Sequence, residues 1–490
     1  MRIVLSIIFS LTLVFGNAQE KVWVFFKDKP NVDNQILQPE KYLSSQSLER
    51  RASQNIDLHP TDFPVESSYL NEIRNLNIPV VRSSKWLNAS SVYVSSQIEI
   101  DLLEALPFVE KVSPVKVLKM TEVESFYKTN KSAAASLNYG DSKTQIQQLN
   151  GDFLHDQGYR GQGMMIAVID GGFSDADLIG GFDSLWMNGR IVTSYDFVDN
   201  DTNVFHLGSH GRSVLSVMGG YIDGVYVGTA PNANYVLLKS EDESSEKKVE
   251  EDNWVAAAEF ADSVGADVIN SSLGYNTFDG GIGDYVYSDF DGRTTVVSQG
   301  AVWAHRKGIL VVNSMGNEGS SSWQYMLSPA DADSILSIGG ADGANNYVGF
   351  ASVGPTFDGR LKPNVSALAT GVYVLSGSNT TQPGNGTSFA APLISGLAAC
   401  LWQADPTLTN YQVLELIERS SHQHTNPDTL LGYGIPNFAL AFNNISIDER
   451  SALLNLKIYP VPFGDELTVE GFGENQSEIE VSLTNQMELQ

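Results

Sequence analysis

The segment that most constrains the fold is an apolar stretch that follows a glycine-led turn at residues 386–392 (Gly-Thr-Ser-Phe-Ala-Ala-Pro). Residues 393–402 are almost entirely apolar, and a helix that is apolar all round is buried in a protein core. Ser388 is therefore expected in the first turn of a core helix, where free backbone N–H groups and the helix dipole stabilise a negative oxygen. A serine that merely caps the helix is the alternative. We also place Pro392 in the first turn, where proline is tolerated.

Composition and the first residues indicate where the protein acts. The chain has 490 residues and a formal net charge of −28, which argues against nucleic-acid binding because that needs a basic face. Residues 1–18 predict a cleaved signal peptide, with Arg2 before an apolar run and small residues at Gly16 and Ala18. No other stretch reaches about 18 apolar residues, so we expect a soluble, exported protein without a transmembrane anchor.

The apolar pattern divides the rest of the chain into four units. Residues 19–120 follow the order β-α-β-β-α-β, roughly the ferredoxin-like pattern. This order leaves out a polar insert that ends near Leu58 and contains Arg50 and Arg51, whose structure the sequence does not predict. Residues 121–150 are polar and small, which predicts a linker open to proteolysis. Residues 151–444 alternate between apolar strands, such as residues 164–169, and helices, such as residues 249–264, which predicts an α/β domain with a parallel sheet covered on both faces. Residues 445–490 predict a short β tail.

Three polar residues lie at the ends of buried segments of the α/β domain. Asp170 ends an apolar strand, and sites in open α/β sheets form at the carboxyl edge of the strands. His210 begins the next helix, and Asn317 lies on a glycine-flanked turn after another strand. Each alone is a common strand-end or turn residue. Together with Ser388 they form one set, in which Asp orients His, His takes the proton of Ser, and Asn helps to hold an oxyanion.

Metal sites are the competing interpretation of some of these residues. His206 and His210 are four residues apart, but no glutamate lies between them and Gly208 breaks a helix, so we do not expect zinc. Acidic residues cluster at 241–252 and 279–291. Neither run has the spaced ligands of an EF-hand, and we expect solvated acidic loops.

The order Asp, His, Ser and the motifs around them resemble those of the subtilases, the subtilisin-like serine proteases. The matching segments are residues 168–173, 210–211, 228–231, 270–274, 316–319 and 386–392. The resemblance implies a subtilisin-like parallel sheet sandwiched by helices. It also implies that Asp170, His210 and Ser388 are the catalytic triad and that Asn317 is the oxyanion donor.

The same resemblance implies a substrate cleft. The residues that would bind an extended substrate and wall the pocket for the side chain before the cleaved bond are Ser271, Ser272, Leu273, Gly274, Ser314, Met315 and Gly316. Glu318 would lie near that pocket and would allow a basic or polar substrate side chain. The sequence departs from the family's usual residues at Gly171, Arg212 and Met315, and none of these departures removes a reacting group.

The resemblance extends to both ends of the chain. Residues 19–120 resemble a subtilase pro-domain, a chaperone and inhibitor, so the processing site and the start of the mature enzyme would fall within residues 121–150. A permanent accessory domain is the alternative. Residues 456–463 (Leu-Lys-Ile-Tyr-Pro-Val-Pro-Phe) resemble the start of a type IX secretion sorting domain, with Val461 in place of the usual Asn. The final strands of such a domain are missing, which implies truncation or degeneration. An ordinary β tail is the alternative.

These observations predict a serine endopeptidase that is made as a self-processed zymogen. It would be secreted, extracellular or on the cell surface of a diderm bacterium. No cofactor is required, and structural calcium is allowed because many subtilases bind it. The expected partners are protein or peptide substrates, the chain's own pro-domain as inhibitor, and secretion machinery. The alternatives are a catalytically silent subtilisin fold that binds a partner, and a surface adhesin with a vestigial protease core.

Overall fold

The computed structural model describes residues 20–114, 137–281, 283–376, 380–451, 457–459 and 468–470. The described residues form an amino-terminal domain (residues 20–114) and a main domain (residues 137–451), which pack against each other. The predicted signal peptide, residues 115–136 and most of the predicted tail lie outside the described residues.

The amino-terminal domain consists of an antiparallel sheet and α-helices. Its elements are β1 (Glu20–Phe26), α1 (Val32–Ile36), α2 (Ser45–Ser53), α3 (Ser67–Asn75), β2 (Val80–Ser84), β3 (Ala89–Val94), α4 (Gln97–Glu104) and β4 (Val109–Pro114). The strand order β2-β3-β1-β4 confirms the expected ferredoxin-like pattern. The polar insert, whose structure the sequence left open, contains α1 and α2.

The two faces of this sheet have different partners. Because successive side chains of a strand point to opposite faces, Val22, Val24 and Phe26 of β1 join the domain's own core. Trp23 and Phe25 join a core that belongs mostly to the main domain. The amino-terminal domain therefore shares one of its two apolar faces with the main domain.

Buried ion pairs complete the interface between the domains. Asp262 of the main domain is fully buried and accepts hydrogen bonds from Arg50 (2.5 Å), Arg51 (2.8 Å) and Lys85 (3.0 Å) of the amino-terminal domain. In the opposite sense, Lys307 of the main domain donates to Asp62 over 2.8 Å. Charges buried in this way need their partners, so the two domains are bound specifically as well as by apolar packing.

The main domain is built on a seven-stranded sheet. Its elements are α5 (Lys143–Gln147), α6 (Gly151–Asp156), β5 (Met165–Asp170), α7 (Asp183–Met187), β6 (Ile191–Asp196), α8 (His210–Gly219), β7 (Tyr221–Ile222), β8 (Tyr226–Val227), β9 (Asn234–Lys239), α9 (Val249–Val264), β10 (Val268–Ser271), α10 (Val296–Arg306), β11 (Leu310–Ser314), β12 (Leu336–Ala341), β13 (Val365–Leu368), β14 (Val372–Leu375), β15 (Thr381–Gly384), α11 (Thr387–Ala404), α12 (Asn410–Arg419) and α13 (Phe438–Ser451). The sheet order is β13-β12-β11-β10-β5-β9-β6, and all pairs are parallel.

Helices cover both faces of this sheet, as the continuous apolar strands predicted. Ile166 and Val168 of β5 face the core that holds α8 and α11, whereas Met165, Ala167 and Ile169 face the core that holds α9 and α10. The expectation of a parallel sheet sandwiched by helices is confirmed.

The position of Pro392 corrects one sequence expectation. Because α11 begins at Thr387, Pro392 lies in the second turn rather than the first. Proline has no N–H to donate to the carbonyl four residues earlier, which is that of Ser388. The hydroxyl of Ser272 donates to this carbonyl instead, over 2.8 Å. Because the proline leaves the carbonyl of Ser388 free, Ser272 can bind it and connect the segment after β10 to the start of α11.

The boundaries of the main domain differ from the predicted linker and tail. Residues 137–150 pack on the main domain, with Ile146 and Leu149 fully buried. At the other end, α13 continues past residue 444 to Ser451, and two short strands, β16 (Lys457–Tyr459) and β17 (Thr468–Glu470), pair antiparallel. Among the described residues, no helix is long and apolar enough to cross a membrane.

Candidate active site

Asp170 and His210 meet at the carboxyl edge of the sheet. Asp170 is the last residue of β5 and is fully buried, and His210 is the first residue of α8. The Nδ1 atom of His210 lies 2.8 Å from Oδ1 of Asp170, and the backbone N–H of Gly171 donates to the same oxygen over 2.8 Å. The imidazole side chain is 38% exposed, so one side of the ring remains open to a ligand.

Nearby carboxylates raise the pKa of His210 above its ordinary value. The charge of Asp170 is the main cause, burial of the ring opposes it, and Glu243 adds a smaller upward shift. Glu243 lies close to Gly171, since a Cβ at residue 171 would lie 3.3 Å from Oε1 of Glu243. A side chain at residue 171 would therefore crowd the Glu243 carboxylate, and glycine avoids this contact.

Ser388 and Asn317 lie at the same edge. Ser388 is the second residue of α11 and is half-buried, and the ring of the next residue, Phe389, lies 6.0 Å from that of His210 between centroids. The side-chain oxygen of Asn317 accepts hydrogen bonds from the backbone N–H (3.0 Å) and the hydroxyl (3.2 Å) of Thr387. An amide fixed through its oxygen keeps its Nδ2 group as a donor. The sequence motif contains Thr387, but its contact with Asn317 was not predicted.

The seven residues predicted to form the substrate cleft belong to two neighbouring strands and their continuations. Ser271 ends β10 and is followed by Ser272, Leu273 and Gly274, whereas Ser314 ends β11 and is followed by Met315 and Gly316. The side-chain amide of Asn313 donates to the carbonyl of Leu273 over 3.1 Å and ties the two segments together. The seven residues differ in exposure: Ser271 and Met315 are fully buried, whereas Leu273, Gly274 and Gly316 are half-exposed.

A cleft of about 530 Å³ opens beside the imidazole. It is lined by Asp170, His210, residues 272–274, and an acidic segment that comprises residues 241–246 and Glu250. One side of the cleft is therefore the continuation of β10, and the other side is strongly acidic.

The acidic run at residues 241–252 matches the expectation of a solvated loop only in part, because Glu243 and Glu246 are exposed whereas the last residues of the run belong to α9. Glu250, Glu251 and Asp252 are all almost completely buried at the start of α9, where free N–H groups and the helix dipole favour negative charge. Glu250 accepts hydrogen bonds from two backbone N–H groups, and Glu251 accepts from Lys248 and Tyr285. Sequence composition alone did not reveal these partners.

Three glutamates of this segment converge. The carboxylate oxygens of Glu241, Glu246 and Glu250 all lie within 4.8 Å of one another. Burial, and next the charge of Glu250, raises the pKa of Glu241 to about 8 and that of Glu246 to about 7. Like charges this close favour either bound protons or a bound cation.

The two histidines of the rejected zinc pair have separate surroundings. His210 bonds Asp170, whereas His206 is exposed, with Nε2 3.6 Å from the carboxylate of Asp199. Asp196 completes a group of three possible ligands with His206 and Asp199, but it already accepts a hydrogen bond from Lys239 over 2.7 Å.

Comparison with known proteins identifies the class. Residues 161–434 match the model of the subtilase family, peptidase S8, and residues 21–133 match the peptidase S8 propeptide domain of Bacteroidota. The first match covers more than half of the chain, so the chain belongs to the subtilase family. It is a subtilisin-like serine protease that carries a propeptide domain.

Individual relatives agree with this assignment. The chain is 32% identical over 295 residues to Subtilisin NAT of Bacillus subtilis subsp. natto, covering 59% of this chain and 67% of that protein. It is 30% identical over 293 residues to Subtilisin DY of Bacillus licheniformis, covering 59% and 93%. The crystal structure of fervidolysin from Fervidobacterium pennivorans, a keratinolytic enzyme related to subtilisin, superposes with a TM-score of 0.58 at 19% identity, over 87% of this chain and 61% of that one. That match supports the fold.

Proposed function

We propose that the chain is the zymogen of a secreted serine endopeptidase whose catalytic triad is Asp170, His210 and Ser388. The observation that carries this proposal is the 2.8 Å bond between the buried Asp170 and His210, at the sheet edge where Ser388 begins a buried helix. Ser, His and Asp in this arrangement perform acyl transfer on several unrelated folds.

The proposed reaction passes through an acyl-enzyme. Asp170 keeps the proton on Nδ1 of His210, so that Nε2 is free to accept one. The Oγ atom of Ser388 attacks the peptide carbonyl and gives its proton to Nε2, which passes it to the departing amine. Water then attacks the acyl-enzyme by the same route in reverse, which releases the acid and restores the serine.

Asn317 is the proposed side-chain donor to the oxyanion. Its contacts with Thr387 fix the amide before substrate arrives, and a preorganised donor costs no reorganisation during the reaction. The backbone N–H of Ser388 at the start of α11 is the second proposed donor.

An extended peptide is the proposed substrate. It would pair by strand addition with residues 271–274, and residues 314–316 would form the facing wall of the pocket before the cleaved bond. The continuity of these segments with β10 and β11 supports this arrangement.

The proposed domain organisation follows the order of maturation. Residues 1–18 are a signal peptide, residues 19–120 a pro-domain that inhibits the enzyme, residues 121–150 a linker with the processing site and the start of the mature enzyme, residues 151–444 the catalytic domain and residues 445–490 part of a type IX sorting domain. The propeptide match and the buried interface between the domains support the inhibitory role. Export is tested by comparing the extracellular fraction of the chain with and without residues 1–18 and 445–490 in a host with the type IX pathway.

Structural calcium is also part of the proposal. Carboxylate oxygens are the ligands that Ca²⁺ prefers, and Glu241, Glu246 and Glu250 would supply three of them. A bound cation would stabilise the acidic side of the cleft and would take no part in the acyl transfer. The test compares the Tm of wild type and Glu246→Gln in calcium and in a chelator. Only the wild type is expected to lose Tm in the chelator.

The decisive experiment compares wild type with Ser388→Ala, both expressed without residues 1–18. A fluorophosphonate probe is expected to label wild type and not the variant, because the probe reacts with an activated serine. Intact mass is expected to show loss of the amino-terminal domain in wild type alone. Absence of labelling in a folded wild type would favour the catalytically silent fold, and equal clipping of both proteins would show that another protease is responsible.

A further inference from the structure

Two glycines face each other across the predicted substrate pocket. Strands β10 and β11 are neighbours in the sheet, and the chain beyond them reaches Gly274 and Gly316. Gly316 N–H donates to the hydroxyl of Thr387, and Ser272, two residues before Gly274, donates to the carbonyl of Ser388, so both segments reach the start of α11. The space between the two glycines is therefore the place for a substrate side chain beside the proposed nucleophile.

A third segment runs between these two. The backbone N–H of Leu327 donates to the carbonyl of Met315 over 3.0 Å on one side. On the other side, Ser328 and Tyr275 exchange two backbone hydrogen bonds of 2.9 and 3.2 Å. Main-chain bonds of Leu327 on one side and of Ser328 on the other thus hold this segment between the two walls of the pocket.

The side chain of Leu327 fills the space between the glycines. A Cβ built at Gly274 would lie 2.5 Å from Cβ of Leu327, and a Cβ built at Gly316 would lie 2.8 Å from its Cγ. Both distances are below van der Waals contact, so the leucine already occupies the volume that a side chain at either glycine would need. Its own side chain is only half-buried, so part of it remains exposed next to the two glycines.

We propose that Leu327 is a specificity-determining residue that limits the substrate side chain before the cleaved bond to a small one, of the size of Gly, Ala or Ser. The inference rests on the proposed function, because it assigns the space between Gly274 and Gly316 to that side chain. It replaces the expectation of a basic or polar side chain near Glu318. A side chain the size of phenylalanine would have to displace Leu327, which the main-chain bonds on both sides resist.

The test uses peptides that differ only in the residue before the cleaved bond, with Ala, Phe or Lys at that position. Wild type is expected to show a kcat/KM for the Ala peptide at least tenfold above that for the Phe and Lys peptides, since misfit of a few methylenes costs roughly 10–200-fold. Leu327→Gly and Leu327→Ala are expected to raise the kcat/KM for the Phe peptide by about 10–100-fold while changing that for the Ala peptide less than threefold. Leu327→Ile conserves the volume and is expected to keep the wild-type preference.

Active-site titration with a fluorophosphonate separates the possible failures. Rates are expressed per labelled site, so a partly misfolded variant does not imitate a change in specificity. If wild type is labelled, three results overturn the role of Leu327 and leave the proposed function standing. These are equal cleavage of the Ala and Phe peptides, preferred cleavage of the Lys peptide, and a rate for the Phe peptide that is unchanged in both Leu327→Gly and Leu327→Ala. Absence of both labelling and cleavage in wild type overturns the proposed function and this inference with it.

Discussion

The cluster around Asp262 gives a quantitative prediction for how the propeptide domain is held. Asp262 is fully buried and pairs with Arg50, Arg51 and Lys85, all from the other domain. Replacing one member of a buried pair costs about 3–5 kcal/mol because the partner charges remain buried without compensation. At 1.4 kcal/mol per factor of ten, Asp262→Asn should favour undocking of the two domains by roughly 10²–10³-fold.

Amide hydrogen exchange measures this opening directly. In a Ser388→Ala background, which prevents self-processing, peptides from residues 44–54 and 84–89 are expected to exchange roughly 10²–10³-fold faster in Asp262→Asn. Peptides from α11 are expected to be unchanged. Asp358→Asn is the matched control, since its pair with Arg360 is partly exposed and should be worth at most about 1 kcal/mol. A change of less than threefold in Asp262→Asn would show that apolar packing alone holds the domains together.

The remaining site predictions concern the imidazole and the oxyanion. Asp170→Asn should lower kcat by roughly 10⁴-fold, and because Asp170 is the main cause of the raised pKa of His210, the acid limb of kcat/KM should move to lower pH. Glu243→Gln should move that limb in the same direction by less, with kcat on the plateau retained; an unmoved limb would contradict its influence on the imidazole. Asn317→Ala should lower kcat by roughly 10²–10³-fold with little change in KM, a loss of the size known for a subtilisin, whereas Asn317→Ala with unchanged kcat would exclude it as the oxyanion donor.

The sequence predicted best those elements whose apolar pattern lies within one short stretch of the chain. Helix α9 occupies residues 249–264 as predicted, because its apolar residues recur with helical spacing and Gly265 ends it with a φ of +99°. Strand β5 was predicted within one residue at each end from a continuous apolar run that stops at Asp170. Asp170 and His210 were likewise expected at one edge because parallel strands end together, and the structure brings them to 2.8 Å.

Features that depend on distant parts of the chain were missed. Helix α2 lies in the polar insert, whose structure the sequence did not predict. Its Arg50 and Arg51 bind Asp262, which is about 210 residues away in sequence. No local periodicity encodes such contacts. Leu327 likewise has no motif of its own, and its position depends on two glycines from different strands. Composition predicted a solvated acidic run at residues 241–252 because it counts charges but not the backbone N–H groups and tyrosines that pair with them.

The interface also predicts a pH dependence for docking of the propeptide domain. Glu259 of α9 accepts hydrogen bonds from the hydroxyl of Ser84 and the backbone N–H groups of Lys85 and Trp86. Burial raises its pKa above the ordinary value of 4.5, although Lys85 opposes the shift. The docked state therefore binds more protons at this site than the undocked state does.

The sign of that dependence follows from the direction of the shift. A pKa that is higher in the docked state gives a contribution that is fully present below the undocked pKa and is lost as pH rises through the docked pKa. Asp262 acts in the opposite sense, because its docked pKa is lowered and its contribution is lost as pH falls. Docking in wild type should therefore weaken relative to docking in Glu259→Gln as pH rises above about 4.5. The loss of docking at low pH that Asp262 causes should be the same in both proteins. Hydrogen exchange of residues 84–89 from pH 4.5 to 8, corrected for the intrinsic exchange rate, measures docking in wild type and in Glu259→Gln. Parallel pH profiles of the two proteins would exclude Glu259 as a pH-dependent part of the interface.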